Sequence, residues 1–243
     1  MIKLICFDLD DTLYNENDFV KSGFIAVSEY LEDNYSIKNV YPALEKLYKI
    51  NKKNVFNRLL DSYKIEYNQN IIKVLLDIYH YHTDLKIFLN EETKKLLIDI
   101  KKRGYYLGII TDGIPKVQRN KIKTLLLEDL VDYYIVTDEF GSIEYRKPNP
   151  ISFKQILNHF NLTADEMLYI GDNPKKDFAV SQHLPIHTVH YKNVESLYLG
   201  SDYLNDIKPE FMIDDLTKIF EIIKELNSYY KMVPIERTSL SRR

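Results

Sequence analysis

The chain opens on a short apolar run, Ile2-Lys3-Leu4-Ile5-Cys6-Phe7, too brief for a helix and of the composition of a buried strand. The period then changes. After the cap residues Asn15-Glu16-Asn17-Asp18, the side chains Phe19, Val20, Gly23, Phe24, Val27, Tyr30 and Leu31 recur at spacings of three and four, which predicts one face of a helix. Pro42 suits the first turn of a second helix carrying Leu44, Leu47 and Tyr48. Val55, Leu59 and Leu60 predict a third, and Ile71, Ile72, Leu75, Leu76, Ile78 and Tyr79 a fourth. Residues 15–86 therefore read as a helical bundle with no strand pattern of its own, inserted into something else.

From Asn90 onward strand and helix alternate. A helix over about 91–103 leads to the apolar strand Tyr105–Ile110, a helix over about 115–127 to the strand Tyr133–Val136, and a helix ending near 160 to the strand Met167–Ile170. Ile186–Val189 and Phe211–Ile213 are further strand candidates, and an amphipathic helix covers about 215–227. Such alternation predicts an α/β fold, a doubly wound parallel sheet with helices on both faces. The expected division is a core of residues 1–14 and 87–230, a helical insert of 15–86, and a flexible basic tail of 231–243. Glycine usage agrees: only Gly23 precedes residue 100, whereas the other six glycines punctuate the alternating half.

Composition narrows the function. With 45% apolar and 28% charged residues in 243, the chain can bury a substantial core, and its net charge of −3, with both signs interspersed, gives no footprint for nucleic acid or an anionic membrane. Cys6 is the only cysteine; it excludes an internal disulfide and lies where cysteine behaves as a small hydrophobe. No run is long enough for a membrane span or a signal peptide, so the expectation is a cytoplasmic monomer or homodimer acting on a small molecule. His80 and His82 stand two apart on a helical stretch and so do not face one ligand, and the 20 tyrosines read as amphipathic packing residues.

Four polar loops follow the strands or the segments after them, at residues 8–12, 111–113, 146–150 and 171–177. In an open parallel sheet they meet beyond the carboxyl ends of the strands. Asp8, Asp172 and Asp177 would form an all-oxygen set suited to magnesium, and the loops contain no histidine or cysteine that would favour zinc. Lys147, Thr111 and backbone amides near Asp10 are suited to phosphoryl oxygens. A carboxylate beside them can attack phosphorus, and a second carboxyl group two residues on can handle the leaving group's proton.

The set Asp8-Leu9-Asp10-Asp11-Thr12, Thr111, Arg146-Lys147-Pro148 and Gly171-Asp172 with Asp177 resembles the four motifs of the haloacid dehalogenase-like (HAD) superfamily, in order and over nearly the whole chain. The resemblance implies a Rossmann-like core, with the insert as the helical cap of the first subclass, closing over the substrate about hinges at 14–17 and 84–90. It implies Asp8 as a nucleophile forming an aspartyl-phosphate and Asp10 as the general acid that then activates water. Thr111, Asp112 and Lys147 would hold the phosphoryl group. Magnesium would be held by Asp8, the backbone carbonyl of Asp10 and Asp172, with Asp177 in support. Asp10 argues against dehalogenation and phosphonate hydrolysis, and Asp10 with Thr12 resembles phosphomonoesterases. A sugar phosphomutase of the β-phosphoglucomutase kind is the nearest rival, and a non-catalytic binding protein on the same fold the next. Asp112, where many relatives have asparagine, adds negative charge, and Phe178-Ala179 replaces a frequent glycine-alanine pair. Similarity to acylneuraminate phosphatases and small nucleotidases implies a sugar phosphate or nucleoside monophosphate as substrate. Thr12 is expected to shape its turn and bond Asp10; Asp11 has no assigned part.

Overall fold

The computed structural model describes residues 1–232; the basic stretch Arg237–Arg243 lies outside the described residues. In chain order the elements are β1 (Leu4–Phe7), α1 (Glu16–Tyr35), α2 (Val40–Ile50), α3 (Val55–Ser62), α4 (Gln69–Tyr81), α5 (Glu91–Lys102), β2 (Tyr106–Thr111), α6 (Pro115–Thr124), β3 (Tyr133–Val136), α7 (Ile151–Phe160), β4 (Met167–Gly171), β5 (His187–Tyr191), β6 (Phe211–Ile213) and α8 (Ile219–Met232). Asparagine starts several helices. The Asn15, Asn68 and Asn90 side chains accept from the Asn17, Asn70 and Thr93 amides and satisfy donors that the first turn leaves open.

The chain divides into two compact units. The first comprises Met1–Leu13, Asn90–Asp112 and Leu130–Arg243 and is built on a six-stranded sheet in the order β3-β2-β1-β4-β5-β6. Every pairing is parallel, with Phe7 level with Ile109 of β2 and Ile170 of β4. Parity sorts the core. Leu4, Cys6, Ile110, Met167 and Tyr169 pack with Phe153, Ile156 and Leu157 of α7, while Ile5, Phe7, Leu107 and Ile109 are buried from the opposite pleat. Gly108 permits the close approach of α7, since a Cβ there would meet Ile156 Cδ1 at 2.5 Å. Arg103, following α5, lies over the Phe220 ring of α8 with its guanidinium carbon 4.1 Å from the centroid. Burial pushes the Cys6 thiol far up, in keeping with an inert packing residue.

The second unit comprises Tyr14–Leu89 together with Gly113–Asp129. It thus takes in α6, which the sequence pattern puts with the sheet, because α6 packs by its side chains on helical-unit residues. Lys121 is buried with its ammonium 4.4 Å from the Phe19 ring, and Asn120 Nδ2 donates to the His82 carbonyl at 3.3 Å. Val20, Phe24, Val27, Leu44, Leu59, Leu60 and Leu75 form the core of this unit. Tyr48, Phe56 and Tyr79 surround Phe24 with ring centroids 5.5–6.4 Å apart, so these tyrosines are packing residues. His82 is satisfied locally by Ser22 Oγ at 2.8 Å and the Tyr79 carbonyl at 2.9 Å. Among the described residues no helix is long and apolar enough to cross a membrane.

Candidate active site

Three neighbouring central strands end at one level. Asp8 follows β1 and its amide donates to the Ile170 carbonyl at 2.8 Å, Thr111 is the last residue of β2, and Asp172 follows β4. Side chains from loops that are distant in sequence therefore converge over the middle of the sheet. Asp8, Thr111, Lys147, Asp172 and Asp177 are all buried, while Asp10 is half-buried. All seven residues singled out in the sequence belong to the sheet unit.

Asp8 has two unequal oxygens. Oδ1 accepts from the Leu9 amide at 2.8 Å and pairs with Lys147 Nζ at 2.7 Å. Oδ2 is buried and has no hydrogen-bond partner among the described residues; Lys176 Nζ stands 3.3 Å away, outside hydrogen-bond geometry. Burial by itself would lift the Asp8 carboxyl, but Lys147 and then Lys176 outweigh it and hold the group below the ordinary carboxylate value.

Lys147 is held on several sides. Its ammonium meets Asp177 Oδ1 at 2.9 Å, the Tyr169 hydroxyl at 2.9 Å and the Ile110 carbonyl at 3.2 Å in addition to Asp8. Burial opposes its charge, yet Asp177 and Asp8 prevail and keep it above the usual lysine value. Tyr169 in turn donates to Asp177 Oδ1 at 3.0 Å, and the Asn173 amide donates to Asp177 Oδ2 at 2.9 Å. Gly171 makes this fold-back possible: a Cβ there would lie 2.5 Å from Asp177 Oδ2.

Asp8, Asp172 and Asp177 each bring a carboxylate oxygen within 4.8 Å of the others. Burial first, then the charges of Asp177 and Asp8, push Asp172 up to about 8, and burial raises Asp177 despite Lys147. An all-oxygen cluster under this mutual repulsion, with the buried Asp8 Oδ2 lacking a hydrogen bond, fits a hard divalent cation.

Asp112 turns its carboxylate into the sheet unit. Oδ1 accepts from Thr137 Oγ1 at 2.8 Å and from the Lys147 amide at 3.1 Å, and Oδ2 faces Lys176 Nζ at 3.5 Å. The Thr12 hydroxyl donates to Asp172 Oδ1 at 3.5 Å, toward the fourth loop.

Several residues have no sequence signal. Asp11 sits at φ 55° and anchors the segment after β5, its carbonyl accepting from Asn193 Nδ2 at 2.7 Å and its Oδ2 from the Leu197 amide at 3.4 Å. That segment delivers Ser196, whose hydroxyl donates to Asp172 Oδ2. His190 Nε2 lies 3.1 Å from the Asp172 carbonyl and its Nδ1 2.9 Å from the Tyr203 hydroxyl. Tyr169 alternates within an apolar strand and reads as core, and Lys176 is one of two adjacent lysines that sequence cannot tell apart.

Relatives carry names consistent with this chemistry. The glyceraldehyde 3-phosphate phosphatase of Pyrococcus furiosus is 30% identical over 243 residues, covering 96% of this chain and 97% of its own. The pyrophosphatase PpaX of Bacillus cereus is 27% identical, covering 93% of this chain and 98% of its own. The structure of the HAD-hydrolase YfnB of Bacillus subtilis, bound to magnesium, superposes with a TM-score of 0.63 at 16% identity, over 91% of this chain and 98% of its own, a likeness of fold. The model of the haloacid dehalogenase-like hydrolase family matches residues 5–191, a span that takes in all four polar loops. On that match the chain is an enzyme of the haloacid dehalogenase-like hydrolase family.

Proposed function

We propose that the protein is a magnesium-dependent phosphomonoesterase that hydrolyses a small phosphorylated metabolite through an aspartyl-phosphate on Asp8, with the helical unit as its cap. The observation that carries this reading is the state of Asp8. Its carboxylate is kept ionised by Lys147, has one oxygen fixed and the other without a hydrogen bond, and stands beside two further carboxylates.

In the first step an Asp8 oxygen attacks phosphorus, and the bond to the leaving oxygen breaks as that oxygen takes a proton from Asp10. In the second, Asp10 accepts a proton from water as the water oxygen attacks phosphorus, releasing phosphate and restoring Asp8. Thr111, the backbone at Asp112, and Lys147 hold the phosphoryl oxygens in place. Asp8, Asp172 and Asp177, with the Asp10 backbone carbonyl, would hold Mg2+, which supplies positive charge that offsets the carboxylates and the phosphoryl group.

The relatives named for glyceraldehyde 3-phosphate support a sugar phosphate over a nucleoside monophosphate. Asp8, Asp10, Lys147 and Asp172 are all present, so the loss that would mark a non-catalytic binding protein is not found. The test is release of phosphate from p-nitrophenyl phosphate with Mg2+, lost by about a thousandfold or more in Asp8→Asn. Undiminished turnover in that variant refutes the mechanism. A panel of sugar phosphates, nucleoside monophosphates and pyrophosphate then identifies the substrate, and isomerised product without free phosphate identifies a mutase instead.

A further inference from the structure

Lys176 belongs to the fourth loop but not to the acidic pair that gives the loop its chemistry. The loop is wound tightly: the Lys175 amide donates to Asn173 Oδ1 at 2.9 Å, and the Lys176 and Asp177 amides donate to the Asn173 carbonyl at 3.2 and 3.0 Å. This winding leaves Lys175 exposed and turns its neighbour inward, so that the Lys176 side chain keeps only 25% of its exposure. Its ammonium bridges two anions, 3.3 Å from Asp8 Oδ2 and 3.5 Å from Asp112 Oδ2. The Asp112 carboxylate is itself immobilised through its other oxygen by Thr137 and the Lys147 amide. Lys176 is therefore drawn between the attacking residue and the end of β2.

The two lysines differ in what they have left to give. Lys147 has three N–H donors and four oxygen acceptors within 3.2 Å, so it meets a phosphoryl oxygen only in exchange for one of these contacts. Lys176 makes only ion pairs of 3.3 and 3.5 Å among the described residues, neither with hydrogen-bond geometry. It brings an uncommitted set of donors to the nucleophile and retains access to solvent.

We infer that Lys176 is a second phosphoryl-binding cation beside Lys147, held by Asp112 and donating to a different non-bridging oxygen of the substrate phosphate. This inference rests on the phosphatase reading. Asp112 then acts as a positioning residue for that lysine. A dianionic group has three peripheral oxygens, and a lysine with free donors beside the attacked phosphorus meets one without giving up an existing hydrogen bond.

The test compares wild type, Lys176→Gln and Lys176→Arg. Binding of inorganic phosphate is measured by isothermal titration in the presence of Mg2+, and p-nitrophenyl phosphate turnover in parallel. Charge-assisted hydrogen bonds are worth enough that Lys176→Gln should weaken phosphate binding and raise KM by about tenfold or more, with a smaller effect on kcat. Lys176→Arg should restore most of the affinity. A folded Lys176→Gln protein that binds phosphate within about twofold of wild type overturns the assignment while leaving the phosphatase reading standing. So does a loss of affinity that arginine fails to restore. Wild type that neither binds phosphate nor releases it from any ester overturns both together.

Discussion

Tyr169 offers a sharp test of how the sheet holds the site. Its hydroxyl accepts from Lys147 at 2.9 Å and donates to Asp177 at 3.0 Å, while its ring packs edge-on against Phe153 with centroids 4.9 Å apart. Tyr169→Phe keeps the ring and removes only the oxygen, so no cavity larger than a hydroxyl forms. What is lost is a donor to a buried carboxylate and an acceptor for a buried ammonium. Hydrogen bonds to charged groups contribute about 1.5–3 kcal/mol, and residue 169 is fully buried, so water cannot easily replace the oxygen. For a chain of this size that cost corresponds to a fall in Tm of roughly 4–10 °C. Lys147 keeps its 2.7 Å contact with Asp8, so kcat should fall by less than about tenfold. Urea unfolding followed by circular dichroism gives the stability, and phosphate release gives kcat. A variant within about 0.5 kcal/mol of wild type refutes the assignment of the hydroxyl as a joint between Lys147 and Asp177.

Other outcomes follow from the same geometry. Gly171→Ala places a Cβ 2.5 Å from Asp177 Oδ2, whose carboxylate is tied on both oxygens, so a loss of about 2–3 kcal/mol is expected by urea unfolding, together with a loss of turnover. Ser196→Ala removes a donor that favours the ionised form of Asp172, and Mg2+ affinity by isothermal titration should weaken by about tenfold, whereas unchanged affinity counts against a supporting role for Ser196. The pH dependence has a defined sign. Asp172 is raised from 3.8 to about 8, so between those values the folded state holds a proton that the unfolded state has released. Its contribution to stability is present below about pH 4 and is lost as pH rises toward about 8. Without divalent cation, Asp172→Asn should flatten that decline in chemical unfolding; an unchanged slope removes Asp172 as its source.

The sequence carries the site unevenly. Asp8 and Asp172 are legible because charged residues at the ends of apolar runs have few structural reasons to be there, and Lys147 and Asp177 because of their order in the polar loops that follow. Lys176 and Tyr169 are not, for two different reasons. Lys176 and Lys175 are chemically identical neighbours, and only the turn around Asn173 decides which one faces Asp8. Tyr169 is indistinguishable by pattern from the apolar residues on either side of it. Ser196 depends on a contact across 24 positions and Asn193 on one across 182, and no local pattern encodes either pairing.

By itself the sequence determined the alternating strands and helices, the helical insert and the carboxylates Asp8, Asp172 and Asp177 that the fold brings together, because hydrophobic period and residue chemistry act locally. It placed α6 with the sheet by alternation alone, whereas the packing of Lys121 and Asn120 puts that helix with the helical unit. Tertiary structure alone decided which donors are already engaged. It surrounded Lys147 with four oxygens, left Lys176 without a hydrogen bond among the described residues, and raised Asp172 by burying it beside two other carboxylates. Those properties depend on distances between loops far apart in the chain, and such distances exist only once the sheet has brought its strand ends to one level.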